Sequence, residues 1–175
     1  MNPAAERSAC PICLRGRPRD IIAELECSWL TMPEAAPLVG YVCLVSRRHV
    51  VELHDLTRSE AACFMRDARR VSAAVAAVTA AIKLNYEIHG NTLPHLHMHF
   101  FPRYVGDPFE GRPIDPARIR EPVYALGQFS ELRDRLRRQL VPARPASVRE
   151  RGQGCRRIKG LRATAADLTR STRDT

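Results

Sequence analysis

Three histidines alternate along one short segment, NTLPHLHMHFFPRY, which covers residues 91–104. They are His95, His97 and His99, and they make up half of the six histidines in the chain. Imidazole can ligate a metal, attack an electrophile or carry a proton near neutral pH, so two kinds of site compete. The three rings could hold one metal ion, or they could divide the work so that one acts as a nucleophile.

The alternation predicts a β-strand over residues 95–101, because successive side chains of a strand point to opposite faces. The histidines then share one face, and the apolar residues Leu96, Met98 and Phe100 take the other. Such a strand would present imidazoles to a cleft while it anchors itself in the core. A lone histidine on a strand is usually structural, whereas three in register indicate a functional site.

Other elements must position this strand. Thr57 and Glu60 form a capping-box signature, and the alanine-rich segment after them predicts a helix to about residue 83 with one apolar face. A short C-terminal helix is predicted over residues 130–140, and the first fifteen residues are expected to form a loop. Apolar and alternating runs predict further strands, over residues 21–32, 41–46 and 84–89.

The net charge of +9 is unevenly distributed. Residues 141–175 hold nine Lys and Arg against three Asp and Glu, so +6 of the +9 lies there. The remaining domain, residues 1–140, is only mildly basic, which suits small phosphorylated ligands better than a nucleic-acid duplex. Because residues 141–175 contain few large apolar side chains, we predict a disordered basic tail.

Neither a membrane span nor an export signal is evident. No apolar run approaches the roughly 20 residues that cross a bilayer, and the N-terminus lacks a hydrophobic signal-peptide core. A cytoplasmic protein is therefore expected. Disulfides are rare in that compartment, so the cysteines Cys43 and Cys63, which lie in apolar surroundings, are interpreted as small core residues.

The segment PHLHMHFFPRY resembles the signature of the histidine triad (HIT) family, His-x-His-x-His followed by two apolar residues. The longer run NYEIHGNTLPHLHMHFFPRY and the run GYVCLVSRRHVVELHDL resemble family segments as well. Together with the sequence CPIC, the similarity spans about residues 10–113. The resemblance implies a HIT-like α+β fold with an antiparallel sheet of about five strands, one long helix packed on it and a short C-terminal helix. It also implies a homodimer.

The resemblance further implies nucleotidyl transfer or hydrolysis at an α-phosphate. His97, the middle histidine, would attack phosphorus and form a covalent nucleotidyl-histidine, which water or another acceptor resolves. His99 would contact the phosphate or the leaving group. Candidate substrates are dinucleoside polyphosphates and nucleoside phosphoramidates. Residues that match substrate-binding positions of the family are Asn85, Gly90, Asn91 and Thr92.

Cysteines at positions 10 and 13 form a Cys-x-x-Cys pair, and two such thiolates with two histidines are a normal ligand set for structural zinc. Zinc-bearing relatives in this superfamily, including galactose-1-phosphate uridylyltransferases, combine such a pair with a distant histidine and the histidine two residues before the nucleophile. The resemblance therefore implies a structural zinc ion held by Cys10, Cys13, His49 and His95.

Two alternatives stay open at this point. All three triad histidines could ligate a catalytic metal in a metal-dependent hydrolase. Alternatively, the chain could be a non-catalytic nucleotide-binding module whose basic tail touches RNA or an acidic partner. One departure from the family is also visible, because Tyr41 stands where some members have a histidine, and any role of that histidine is absent or filled differently here.

Overall fold

The computed structural model describes residues 9–119 and 121–140. The predicted tail, residues 141–175, lies outside the described residues, as do residues 1–8. Two single 3₁₀ turns cover Leu53–Asp55 and Pro116–Arg118. The helices and strands are, in chain order, α1 (Pro11–Arg15), β1 (Ile21–Glu24), β2 (Ser28–Thr31), β3 (Val42–Ser46), α2 (Arg58–Thr79), β4 (Lys83–Ile88), β5 (His97–Arg103) and α3 (Gln128–Leu140).

The five strands form one antiparallel sheet in the order β1-β2-β3-β5-β4, which confirms the predicted α+β class. The strand that carries the triad, β5, lies between β3 and β4. Its register places His97 beside Val45 and His99 beside Cys43. On the other side, Glu87 of β4 pairs with His99. Strand β4 is an edge of the sheet.

Helices α2 and α3 lie against one face of the sheet. Helix α2 begins with the predicted capping box, in which the Thr57 side chain accepts from the Glu60 N–H and the Glu60 carboxylate accepts from the Thr57 N–H at 2.8 Å. The main hydrophobic core fills the space between these helices and the sheet. Its fully buried members include Leu30, Leu44, Phe64, Val71, Phe100 and Leu136.

The opposite face of the sheet carries the triad and is only partly covered. Helix α1 packs there, in a small cluster that contains Cys10, Ile12, Cys43 and Val45. Alternation along β3 and β5 explains the division, because Leu44 and Phe100 face the main core while Cys43 and Val45 face α1. The fold therefore leaves the histidine face free to form a cleft.

The single strand predicted over residues 21–32 is wrong, because this segment forms β1 and β2 joined by a tight turn. A helix residue holds the turn: the Asp67 carboxylate accepts from the Cys27 N–H at 3.0 Å and from the Ser28 hydroxyl at 2.5 Å. These bonds satisfy a buried carboxylate that would otherwise be costly to desolvate. The turn contains neither glycine nor proline, so the local sequence does not reveal it.

Three other boundaries differ from the sequence prediction. Residues 11–15, expected to be loop, form α1 with Pro11 in its first turn, where a missing N–H is tolerated. Helix α2 ends at Thr79 rather than near residue 83, because Ala80 is left-handed with φ 54°. Strand β5 begins at His97, two residues later than predicted, so His95 precedes the strand.

A disulfide joins Cys27 to Cys63 and links the β1–β2 turn to α2, with a Cα–Cα distance of 6.2 Å. The expectation that Cys63 forms no disulfide is therefore wrong, although its side chain is buried as a core residue. Cys43 is buried as expected, and burial raises the pKa of its thiol to about 12. No helix within residues 9–119 and 121–140 is long and apolar enough to cross a membrane.

Candidate functional site: a cysteine–histidine cluster beside a histidine cleft

Four residues from three separate parts of the chain meet beside α1. The ligand atoms of Cys10, Cys13, His49 and His95 all lie within 4.8 Å of one another. Cys10 and Cys13 come from α1 and its N-terminus, His49 follows β3, and His95 precedes β5. The structure thus brings together all four residues for which the sequence implied a zinc site.

The separations within this cluster fit one tetrahedral ion. The Nδ1 of His95 lies 3.5 Å from the Cys10 Sγ, 3.8 Å from the Cys13 Sγ and 3.3 Å from the His49 Nδ1. The Cys13 Sγ lies 3.2 Å from the His49 Nδ1. Zinc bonds of about 2.0 Å to nitrogen and 2.3 Å to sulfur place ligand atoms about 3.3–3.8 Å apart in a tetrahedron. The donor set is a normal one for structural zinc.

His95 is prepared for ligation by its other ring nitrogen. Its Nε2–H donates to the Ser46 carbonyl at 2.8 Å, so the Nδ1 lone pair faces the cluster. Burial lowers the pKa of His95, although the bond to Ser46 opposes this shift, and the ring is therefore neutral as a ligand must be. The Nε2 of His49 is buried without a hydrogen-bond partner among the described residues.

His97 is oriented by the backbone of its neighbour. Its Nδ1–H donates to the His95 carbonyl at 2.6 Å. A neutral imidazole carries one N–H, so this bond leaves a lone pair on Nε2. That atom makes no hydrogen bond to the described residues and is not among their buried polar atoms. In its neutral form the ring therefore directs its unprotonated nitrogen toward the cleft.

His99 lies next to His97, with ring centroids 4.7 Å apart in an edge-on arrangement. The hydroxyl of Tyr41 lies 2.7 Å from the His99 Nδ1. Burial, assisted by the neighbouring His97 and His89 rings, lowers the pKa of His99 to about 4. His99 is consequently neutral at physiological pH.

A cleft of about 330 Å³ opens between α1 and the sheet, and both His97 and His99 line it. Its walls include the side chains of Arg15 and Arg19, and Thr31 lies on the strand side. No carboxylate contributes to this lining in the described part of the chain, and neither arginine forms an ion pair there. The cleft is therefore a cationic pocket with an available nucleophilic nitrogen.

None of the predicted substrate-binding residues lines this cleft. Asn85 is on β4 opposite Phe101, on the same sheet face as the triad, and it lines a separate groove beside Arg103. Gly90, Asn91 and Thr92 are exposed in the bend that leads to His95. Their assignment to substrate binding stays a prediction.

Three residues with a candidate functional role were not among those predicted from the sequence: Arg15 and Arg19 line the cleft, and Tyr41 contacts His99. Tyr41 could have been found from its position two residues before Cys43, since alternation puts both on the triad face once β3 is paired with β5. Arg15 and Arg19 carry no comparable signal. Their position depends on where the cysteine–histidine cluster holds α1, which is a property of the tertiary structure.

A comparison with known protein families identifies the class of protein to which this chain belongs. The sequence profile described as "HIT domain" matches residues 16–106, more than half of the chain. The antiparallel sheet and the paired cleft histidines agree with that match. The chain belongs to the HIT domain family.

Particular relatives resemble it to different extents. A histidine triad protein from Bradyrhizobium japonicum is 30% identical, with a TM-score of 0.62, over 69% of this chain and 90% of that one. A Zn-bound histidine triad family protein from Mycobacterium smegmatis is 22% identical, with a TM-score of 0.55, over 74% of this chain and 94% of that one, which establishes a shared fold.

A curated relative is similar over a shorter stretch. Bis(5'-nucleosyl)-tetraphosphatase [asymmetrical] from Schizosaccharomyces pombe is 35% identical over 75 residues, 40% of this chain. The match spans 41% of the length of that relative.

Proposed function

We propose that the protein is a nucleotide hydrolase or transferase that acts at an α-phosphate through a covalent nucleotidyl-histidine. The observation that carries this proposal is the orientation of His97. Its Nδ1–H is held by the His95 carbonyl at 2.6 Å, and its Nε2 is open to the cleft. A neutral, oriented imidazole is a competent nucleophile near pH 7, and its phosphoramidate product is readily hydrolysed.

The reaction would proceed in two displacements. With a polyphosphate, the Nε2 lone pair of His97 forms a bond to the α-phosphorus while the bond from phosphorus to the leaving oxygen breaks, and the leaving group takes that electron pair. With a phosphoramidate, the leaving nitrogen takes the electron pair and also a proton from solvent. Water then attacks the same phosphorus while the bond from phosphorus to Nε2 breaks; the electron pair returns to His97 and the water releases a proton to solvent. The Nδ1–H remains on the ring throughout, where the His95 carbonyl stabilises the positive charge that the ring acquires.

The cleft favours an anionic substrate. Arg15 and Arg19 add two positive charges to its wall and no carboxylate offsets them among the described lining residues. Dinucleoside polyphosphates carry several phosphate charges and are the preferred candidate, in agreement with the tetraphosphatase activity that names the Schizosaccharomyces pombe relative. Nucleoside phosphoramidates are the second candidate. Asn85, Gly90, Asn91 and Thr92 are proposed to contact the nucleotide.

Replacement of His97 tests the nucleophile. We expect wild-type protein incubated with diadenosine tetraphosphate or adenosine 5′-phosphoramidate to release AMP and to carry an adenylyl group on one histidine, detected by mass spectrometry after acid-free quenching. His97→Asn and His97→Gly should lose both the adduct and the turnover, by a factor of about 10³ or more. Wild-type rates in either variant would remove His97 from this role.

We further propose that Cys10, Cys13, His49 and His95 hold a structural zinc ion. The fit of their separations to a tetrahedron supports this proposal, and the Zn-bound relative from Mycobacterium smegmatis agrees with it. The described residues that could hold a metal at this position include His95 but neither His97 nor His99. This grouping favours a structural ion over a catalytic ion held by all three triad histidines.

Metal analysis and chelation separate these two roles. We expect one zinc per wild-type chain, and a loss of zinc in Cys10→Ser that is absent from Cys43→Ala, a control at a described cysteine outside the cluster. A structural ion predicts that a chelator abolishes activity slowly, in step with unfolding measured by circular dichroism. Rapid loss of turnover by a still-folded protein, reversed by added metal, would support the catalytic-metal alternative instead.

A further inference from the structure

Tyr41 contacts the second histidine of the cleft in a way that fixes its tautomer. The Tyr41 hydroxyl lies 2.7 Å from the His99 Nδ1, and its ring stacks on Phe101 with centroids 5.0 Å apart. Both side chains are partly buried. The contact is therefore a hydrogen bond held in place by packing, between two residues that are 58 positions apart in the sequence.

The direction of this hydrogen bond follows from the surroundings. Burial, with the acidic groups of Cys43 and Glu87 nearby, raises the pKa of Tyr41 well above its usual range, so the phenol keeps its proton. If His99 donated instead, the phenolic proton would have no acceptor among the described residues. Tyr41 thus donates and the His99 Nδ1 accepts.

The consequence for His99 is a defined proton position. Since the neutral ring has one N–H and Nδ1 accepts, that N–H is on Nε2. The His99 Nε2 makes no hydrogen bond to the described residues and is not among their buried polar atoms, so it is available in the cleft beside His97. Other titratable groups that face His99 are Cys43 from β3, Glu87 from β4, and the rings of His89 and His97.

We infer that Tyr41 is a positioning residue that holds His99 as a neutral Nε2–H donor, aimed at the oxygen that leaves phosphorus when His97 attacks. This inference rests on the proposed function. His99 donates a hydrogen bond and keeps its proton, so the leaving group departs as an anion stabilised by that bond. Without Tyr41, both tautomers of His99 would be populated, and the Nδ1–H form presents a lone pair that repels the departing anion.

Kinetics on a series of adenosine 5′-aryl phosphates test this inference, because the need for a donor grows with the pKa of the leaving phenol. Tyr41→Phe retains the ring that stacks on Phe101 and removes only the hydroxyl. We expect kcat/KM to fall about 10- to 100-fold for poor leaving groups and much less for nitrophenolate. Tyr104→Phe is the control, since it removes a phenol that donates to the Val39 carbonyl at 2.9 Å, outside the cleft.

An equal loss across the whole series, or no loss, would overturn the positioning role. The tautomer itself is measured by long-range ¹H–¹⁵N NMR of histidine side chains in the wild-type protein, which does not depend on how the variant folds. We expect the Nε2–H pattern for His99, and a mixture of tautomers in Tyr41→Phe. An Nδ1–H pattern in an active wild-type protein would refute this inference alone, whereas an inactive wild-type protein would refute the proposed function.

Discussion

At the scale of single residues, the site depends on where protons are held. Three imidazoles lie in succession, and each is oriented through a different partner: His95 through the Ser46 carbonyl, His97 through the His95 carbonyl, and His99 through Tyr41. Each partner leaves the opposite ring nitrogen for a separate task. Under the proposed function, the same side chain type serves as ligand, nucleophile and donor within five residues.

The low pKa of His99 predicts a pH dependence of stability. The ring has a pKa of about 4 in the folded protein against an ordinary value of 6.5. Between these values the unfolded chain binds a proton that the folded chain does not. The free energy of unfolding should therefore fall as the pH drops from about 6.5 to about 4, and the full contribution is present above 6.5.

His99→Gln separates this contribution from other effects of acid on stability, including release of the proposed zinc ion. Denaturant unfolding at a series of pH values should show the wild type losing more free energy of unfolding than His99→Gln between pH 6.5 and 4. Parallel curves for the two proteins would mean that His99 titrates normally in the folded state.

Arg15 and Arg19 in the cleft wall lead to a prediction about how strongly the protein binds the negative charge of a substrate. Arg15→Ala and Arg19→Ala should each raise KM for diadenosine tetraphosphate about 10-fold, as expected for loss of a charged hydrogen bond. The effect on adenosine 5′-phosphoramidate should be smaller, because it carries fewer charges. Arg17→Ala is the matched control, since Arg17 is exposed nearby and does not line the cleft. Equal effects of all three substitutions would indicate only a general loss of positive charge.

At the scale of secondary-structure elements, local sequence predicted the structure wherever interactions between residues close in sequence determine it. The capping box of Thr57 and Glu60 fixes the start of α2, and alternation places His97 and His99 on one face of β5. Local sequence did not predict the structure of segments whose conformation depends on a contact with a residue far away in the chain. The turn between β1 and β2 depends on Asp67, which lies some 40 positions away in α2.

The end of α2 shows the same limit. An alanine-rich sequence would continue as helix, yet the Ile82 N–H is bound to the Arg103 carbonyl at 3.0 Å at the start of the β4–β5 pairing. Sheet formation therefore takes the chain out of the helix at Ala80. The cluster of Cys10, Cys13 and His49 with His95 was found from the sequence by resemblance, whereas the position of α1 over the cleft required the structure.

Gly40 leads to a prediction at the scale of secondary-structure elements, because it packs the loop before β3 against the end of α2. Its φ is +78°, and a Cβ would lie 2.5 Å from the Thr79 Cγ2. Gly106 has a similar φ of +73° with nothing within 4 Å of such an atom. Gly40→Ala should therefore destabilise the protein by about 1–3 kcal/mol more than Gly106→Ala, through overpacking.

Thermal or denaturant unfolding of the two glycine variants measures this difference directly. The backbone penalty is common to both positions, so it cancels in the comparison. Equal destabilisation would show that the Thr79 side chain yields without cost.

At the scale of the whole molecule, the two edge strands of the sheet, β1 and β4, each have one neighbour within the described chain. The apolar side chains of Ile82, Tyr86 and Ile88 are exposed on or beside the β4 edge. Met65 of α2 is also half exposed. An open edge with apolar neighbours is a surface that proteins normally cover, which agrees with the homodimer that we predict for this family member.

Sedimentation tests that prediction. Wild-type protein should sediment as a dimer at micromolar concentration, and Ile82→Lys combined with Ile88→Lys should shift it to the monomer. Leu126→Lys changes a fully exposed apolar residue that is not part of β4 and should leave the dimer intact. A monomeric wild type would show that the edge is not an interface between copies.

The Cys27–Cys63 disulfide also bears on the whole molecule. It joins residues 36 positions apart and closes the turn between β1 and β2 onto α2. Such bonds persist in oxidising compartments and are rare where thiols are kept reduced. The cytoplasmic location expected from the sequence stays a prediction, and counting free thiols in protein isolated without reductant tests whether this bond forms.

The carbonyl group of His95 has an implication for how this protein can change over generations. Its side chain belongs to the cysteine–histidine cluster, while its backbone oxygen accepts a hydrogen bond from His97, the proposed nucleophile. Every amino acid carries that oxygen, so a codon change at position 95 can discard the proposed metal ligand without deleting the acceptor. Under the proposed function, descendants could lose the ion and keep the chemistry, provided that other packing preserved the path of the main chain.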